Sequence, residues 1–184
     1  MKKVTRMALL ISIVFAQLDR GFGAEKPKEL QKPHSIQRTK QSMETKNKET
    51  VKQFVEEFKN RNNYAILDKI LAENFVHHMP NPGLSAGKKG VVETGQMVHS
   101  AFPDVNVKIQ DWIVQEDKVV ERSVVTATHK GEFFGVPATG KSVTWTETHL
   151  YYLKDGKIKE WYPEVNMLAI LMQIGALPMP GQGK

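Results

Sequence analysis

The chain has 184 residues, 40% apolar and 25% charged, which suits one globular domain with an appendage and is long enough to bury a core. It contains no cysteine, which excludes disulfide staples, thiolate nucleophiles and zinc–thiolate sites in one step. The formal charge is +6, but residues 1–24 carry +3 and residues 25–46 another +3, so Asn47–Lys184 sums to zero and offers no basic face for nucleic acid.

Residues 1–24 have the layout of a signal peptide: Lys2, Lys3 and Arg6, an apolar run from Met7 to Ala16, and small residues at Gly21–Ala24. The run is too short to span a bilayer comfortably, so the expectation is export to the periplasm or medium without stable membrane insertion; an uncleaved anchor is the other reading. Residues 25–46 are polar, contain Pro27 and Pro33, and read as a flexible basic linker. The folded domain is then expected over residues 47–184.

Val51, Phe54, Val55 and Phe58 recur at helical spacing and predict an amphipathic helix over Asn47–Asn60. Ile66, Leu67, Ile70 and Leu71 predict a second over Tyr64–Asn74, after a turn at Asn60–Asn63. Phe75–Met79 reads as extended, Pro80–Gly87 as a loop, and Lys89–Ala101 as a weaker third helix interrupted by Gly95. After Ala101-Phe102-Pro103-Asp104 the period becomes two. Strands are expected from Val105 to about Val114, over Lys118–Lys130, over Lys141–Leu153 and over Lys157–Tyr162, with a tight turn at Lys154–Gly156. Val165–Ile174 is a short terminal helix stopped by Gly175 and Pro178. Three helices followed by a four-stranded antiparallel sheet spell an α+β fold with the helices on one sheet face.

The connection from Thr128 to Val143 is the most distinctive stretch: Phe133-Phe134, Gly135-Val136-Pro137 and Gly140 read as an ordered loop between two strands. On the strand that follows, Val143, Trp145, Glu147, His149 and Tyr151 share one face. If that face is inward, a carboxylate and an imidazole two residues apart line an aromatic wall, an arrangement that suits a general base. The other reading is that Glu147 and His149 face solvent or satisfy each other. His77 and His78 are adjacent and must point opposite ways in an extended segment. A metal site from His78, His129, His149 and Glu147 lacks any supporting spacing. Trp112, Trp145 and Trp161 fit core or dimer interface as well as ligand contact.

Three blocks resemble the SnoaL-like polyketide cyclase (ester cyclase) family of the nuclear-transport-factor-like superfamily: Ala101–Asp104, Thr128–Lys141, and Lys157–Gly175 with its Asn166, Gln173 and Gly175. Phe75–His78, Gly87–Gly90 and Glu116–Arg122 add to the resemblance, which spans roughly Asn47–Pro178. It implies a cone-shaped α+β domain enclosing a small-molecule pocket, aldol-type acid/base chemistry without a cofactor, and a homodimer. His78 and His129 are the family-matched histidines, each with a loop-fixing role as the alternative. Arg122 and Glu160, at positions the family favours for those types, are expected to pair across neighbouring strands. The family's acid/base aspartate falls on Asn166, and an amide can polarise an oxygen but cannot take a proton. The candidate catalytic residues are therefore Asn166, His149, Glu147 and His129. The candidate substrate contacts are His78, Phe134, Trp145, Trp161 and Tyr162. The readings left open are an enzyme acting on a small hydrophobic carbonyl compound, a ligand-binding module that has lost its catalyst, and a domain kept for its surface. Export speaks against a literal polyketide substrate.

Overall fold

The computed structural model describes residues 34–178 and 181; the leader and the first part of the linker lie outside them. The chain begins there with α1 (His34–Gln53), which runs directly into a π-helical segment, Phe54–Asn60. A short α2 (Ile66–Ile70) leads into β1 (Leu71–His77), and α3 (Gly87–Ala101) follows. Four long strands then run in succession: β2 (Asn106–Gln115), β3 (Lys118–Thr128), β4 (Ser142–Lys154) and β5 (Lys157–Val165). The described chain closes with α4 (Met167–Ile174), whose C-cap Gly175 adopts φ 90°.

The sheet has five strands in the order β1-β5-β4-β3-β2. β2 to β5 form the expected antiparallel meander. The fifth strand corrects the four-stranded expectation: β1 pairs parallel with β5, with His77 opposite Trp161. The stretch 71–74, read from sequence as helix, is therefore strand, because Leu71, Phe75 and His77 all bury against the sheet's partners. Helical and strand periods cannot be separated over so short an apolar run.

The linker expectation is also corrected over residues 34–46, which are helical. No apolar stripe announces this part of α1, since it is held by polar groups at the β2–β3 turn. Glu116 N–H donates to Glu44 Oε1 at 2.8 Å, Asn47 Nδ2 donates to the Glu116 carbonyl at 2.9 Å, and Lys40 Nζ lies 3.2 Å from Glu116 Oε1. Among the described residues no helix is long and apolar enough to cross a membrane.

The core forms two clusters under the helices. One gathers Phe54, Phe58, Leu71, Tyr151 and Trp161 with their neighbours. The other gathers Val55, Phe102, Phe133, Trp145 and Ile170. Strand β4 serves both: Val143, Trp145, Glu147, His149 and Tyr151 are buried in alternation with exposed Thr144, Thr146 and Thr148.

Candidate functional site

A cavity of about 590 Å³ lies between the two clusters, within the range of small-molecule sites. Most of its wall is apolar, including Phe58, Met97, Val98, Phe102, Trp145 and Ile170. Met79, Phe134 and Leu177, all substantially exposed, mark its rim.

Its polar pole is built from opposite sides. From β4 come Glu147 and His149, both buried; from the π-helical segment comes Lys59. The Lys59 ammonium forms a close ion pair with Glu147 Oε2 and lies 3.5 Å from His149 Nε2. Burial alone raises the Glu147 carboxyl, but the Lys59 charge and the hydrogen bond from His149 outweigh it and hold the group well below the usual carboxylate range. Glu147 also accepts from Trp145 Nε1 at 2.9 Å. The tautomer of His149 follows from its partners. Trp161 Nε1–H, which can only donate, bonds Nδ1 at 2.8 Å, so the imidazole proton sits on Nε2 and is directed at Glu147 Oε2, 2.9 Å away. Both nitrogens of His149 are thus engaged, and Glu147 is surrounded by three donors.

Lys59 was not among the residues singled out from sequence, although the signal was there: it continues the Val51–Val55 row at i+4 spacing, a charge on an apolar stripe. The segment that carries it is pinned by Asn60, whose side chain imitates a strand. Asn60 Nδ2 donates to the Val107 carbonyl at 3.1 Å, and Val107 N–H donates to Asn60 Oδ1 at 2.7 Å. π-helical turns of this kind recur at functional sites. His99 of α3 ties the same turn from the other side, its ring meeting the carbonyls of Gly95 at 2.8 Å and Lys59 at 3.0 Å.

The adjacent histidines divide as their alternation requires, with His77 inward. It is buried, lines the cavity and stacks on Trp161 at 4.6 Å and 14°. Desolvation by burial, with the charges of His78 and His149, lowers it to about 4, so it is neutral at physiological pH. Its Nδ1 is one of the buried polar atoms with no hydrogen-bond partner among the described residues; Thr94 Oγ1, also on the cavity wall, is another. His78 points away, stacked on Tyr162 at 3.9 Å and bonded to Glu160 Oε2 at 3.0 Å. Neither His78 nor Tyr162 lines the cavity.

The remaining candidates separate as well. Phe134, Trp145 and Trp161 line the cavity. His129 lies fully buried outside its wall, with Nδ1 3.0 Å from Thr139 Oγ1, and its backbone closes the loop through Lys141 and Gly140. Asn166 is exposed and caps α4, accepting from Ala169 N–H at 3.2 Å; it does not line the cavity. Its neighbours Glu164, Val165 and Met167 do. The expected Arg122–Glu160 pair does not form, because β4 separates β3 from β5; Arg122 pairs with Asp111 on β2. Among the described residues no group of three or more His, Asp or Glu is placed to hold a metal ion.

The loop after β3 explains why the Ala101–Asp104 block accompanies it. Lys130 and Gly131 donate to the Ala101 carbonyl, Asp104 Oδ1 accepts from Thr128 N–H at 2.8 Å, and Phe133 packs on Phe102 at 4.9 Å. This contact presents Phe134 at the rim.

Comparison with known proteins agrees with this architecture. AclR from Streptomyces galilaeus, a proposed hydroxylase, is similar with a TM-score of 0.67 at 29% identity, covering 75% of this chain and 86% of its own. IdmH from Streptomyces antibioticus, a proposed polyketide cyclase, gives 0.63 at 27% identity, covering 70% and 98%. A proposed SnoaL-like polyketide cyclase from Jannaschia sp. CCS1 gives 0.67 at 25% identity, covering 74% and 96%. No curated protein matches significantly. The family model for SnoaL-like polyketide cyclase matches residues 49–174, from α1 to the end of α4, and the chain belongs to that family.

Proposed function

We propose that the protein is a cofactor-independent enzyme that enolises a small hydrophobic carbonyl compound, with aldol-type ring closure as the family precedent. The observation that carries this reading is the Lys59–Glu147–His149 cluster in a mostly apolar cavity. An ammonium held against a carboxylate that stays ionised through the physiological range keeps its remaining N–H groups for a ligand. In a water-poor site such a donor stabilises the oxyanion of an enolate far better than it would in water. In this reading Glu147 and His149 orient and charge-balance Lys59. They are not the base, because His149 has no free acceptor nitrogen and Glu147 is saturated with donors. The leader's composition supports export, and with it a substrate met outside the cytoplasm.

The test is deuterium incorporation from D₂O into the α-carbon of 2-tetralone, read by mass spectrometry. Wild type is expected to exceed buffer clearly, and Lys59→Met to lose at least about tenfold, the equivalent of ~1.4 kcal/mol of transition-state stabilisation. Tetralone that quenches Trp145 and Trp161 fluorescence without exchanging would favour the binding module.

A further inference from the structure

Two of the residues at the cavity rim run against the local backbone that carries them. Phe133 and Val136 exchange both backbone hydrogen bonds at 3.0 Å, so Phe134 and Gly135 are the central pair of a tight turn, with φ of 49° and 77°. A turn with both central residues at positive φ favours Asn-Gly, and a bulky side chain at its first central position works against it. Met79, two residues after β1, has φ of 57°, again a conformation that Asn or Gly takes more readily. Burial offsets neither one: Met79 is 70% exposed and Phe134 48%, although Phe134 meets the ring of Phe133 edge-on at 4.7 Å. Both also line the cavity, as does Leu177, 40% exposed. Apolar side chains held in water on strained backbone are outliers that folding does not explain, and such outliers gather where ligands bind.

We propose that Met79, Phe134 and Leu177 form a mouth that holds the alkyl chain of an acyclic amphiphile, whose uncharged head accepts a hydrogen bond from Lys59 inside. Placing the head at Lys59 rests on the reading given above, whereas the mouth stands on its own geometry. Each of the three side chains borders cavity and solvent at once, so the apolar lining continues from the interior to the surface. A compact ligand seated inside would leave them wet. A chain that leaves the cavity covers them.

The lining and its charges narrow the ligand class. Met79, Met97 and Met167 all line the cavity, and their unbranched, adaptable side chains suit a flexible chain better than a rigid ring. Inside, the charge of Lys59 is matched by Glu147, so a carboxylate head would be repelled by Glu147 as much as drawn to Lys59. At the rim, exposed Glu164 disfavours an anionic chain end. The ligand is therefore a long-chain ketone or ester, not a fatty-acid anion.

The test titrates the full-length protein with 2-alkanones from 2-hexanone to 2-dodecanone and reads Kd from tryptophan fluorescence. Wild-type affinity is expected to rise roughly fourfold per added methylene to the end of the series. Phe134→Asn and Met79→Asn, each better suited to its backbone, should keep or raise Tm. Both should leave 2-hexanone unchanged and weaken 2-dodecanone at least about tenfold, as should Leu177→Ser. Ile113→Ser, which removes an exposed apolar side chain outside the cavity, should change nothing. Rim variants that weaken every chain length alike, or none, overturn the mouth, and so does an equal loss in Ile113→Ser. Dodecanoate binding more tightly than 2-dodecanone at pH 8 overturns the uncharged head. Lys59→Met should weaken the whole series by one common factor. If it changes no affinity while the rim variants still act on long chains alone, the mouth stands and the Lys59 reading falls.

Discussion

Lys59 and Glu147 are each buried with the other as counter-charge, their side chains 13% and 8% exposed. Removing one partner strands the other, so Lys59→Met is expected to cost about 3–5 kcal/mol in urea unfolding, while Lys59→Met with Glu147→Gln should recover most of it. A double variant no more stable than the single would show that the pair is not coupled. His77 makes a second prediction, one of pH. Its folded value of about 4 lies below the unfolded value of 6.5. Between those limits the unfolded chain binds the extra proton. Stability is therefore full above the unfolded value, and falls as pH drops through the window. The loss from pH 7.5 to 5 should be on the order of 2 kcal/mol. His129, lowered by burial, acts in the same direction, so the readout is the part of the slope that His77→Phe removes. Glu147 stays out of this window, because its depressed carboxyl gives up stability only at lower pH.

At the scale of elements, the turn that presents Lys59 depends on Asn60 and its paired bonds to Val107. Asn60→Ala should cost about 1–2 kcal/mol and also lower Lys59-dependent exchange, whereas a merely stabilising contact would leave exchange intact. The loop after β3 leans on the end of α3 so closely that a Cβ at Gly131 would sit 2.2 Å from the Ser100 carbonyl oxygen. Backbone cannot yield as a side chain does. Gly131→Ala should lower stability by about 1–3 kcal/mol and be visible in thermal unfolding.

For the whole molecule, what was legible in sequence was what repeats. The two-residue period of β4 put Glu147 and His149 on one face with Trp145 and Tyr151, while the inward direction of that face is set by the packing of the helices; the apolar spacing of Phe54, Val55 and Phe58 placed the first helix. The family blocks located the loop and the terminal helix, and the matched family confirms the fold they implied. What escaped depended on partners distant in the chain. Residues 34–46 owe their order to the turns near residues 116 and 155, β1 exists because β5 lies beside it, and His77 rather than His78 faces inward because of that register. Asn166 was located by analogy of position, and position along the chain does not reveal that its side chain is spent on a helix cap.

The parallel pairing of β1 with β5 joins residues 71–77 to residues 157–165, so the sheet closes across nearly the full length of the domain. Such distant pairing forms late, after nearer hairpins have made their own contacts. His77 and Trp161 meet only at that closure. The cavity therefore cannot exist on a chain still being made, and any fragment that ends before β5 should fold, if at all, around a space that nothing yet encloses.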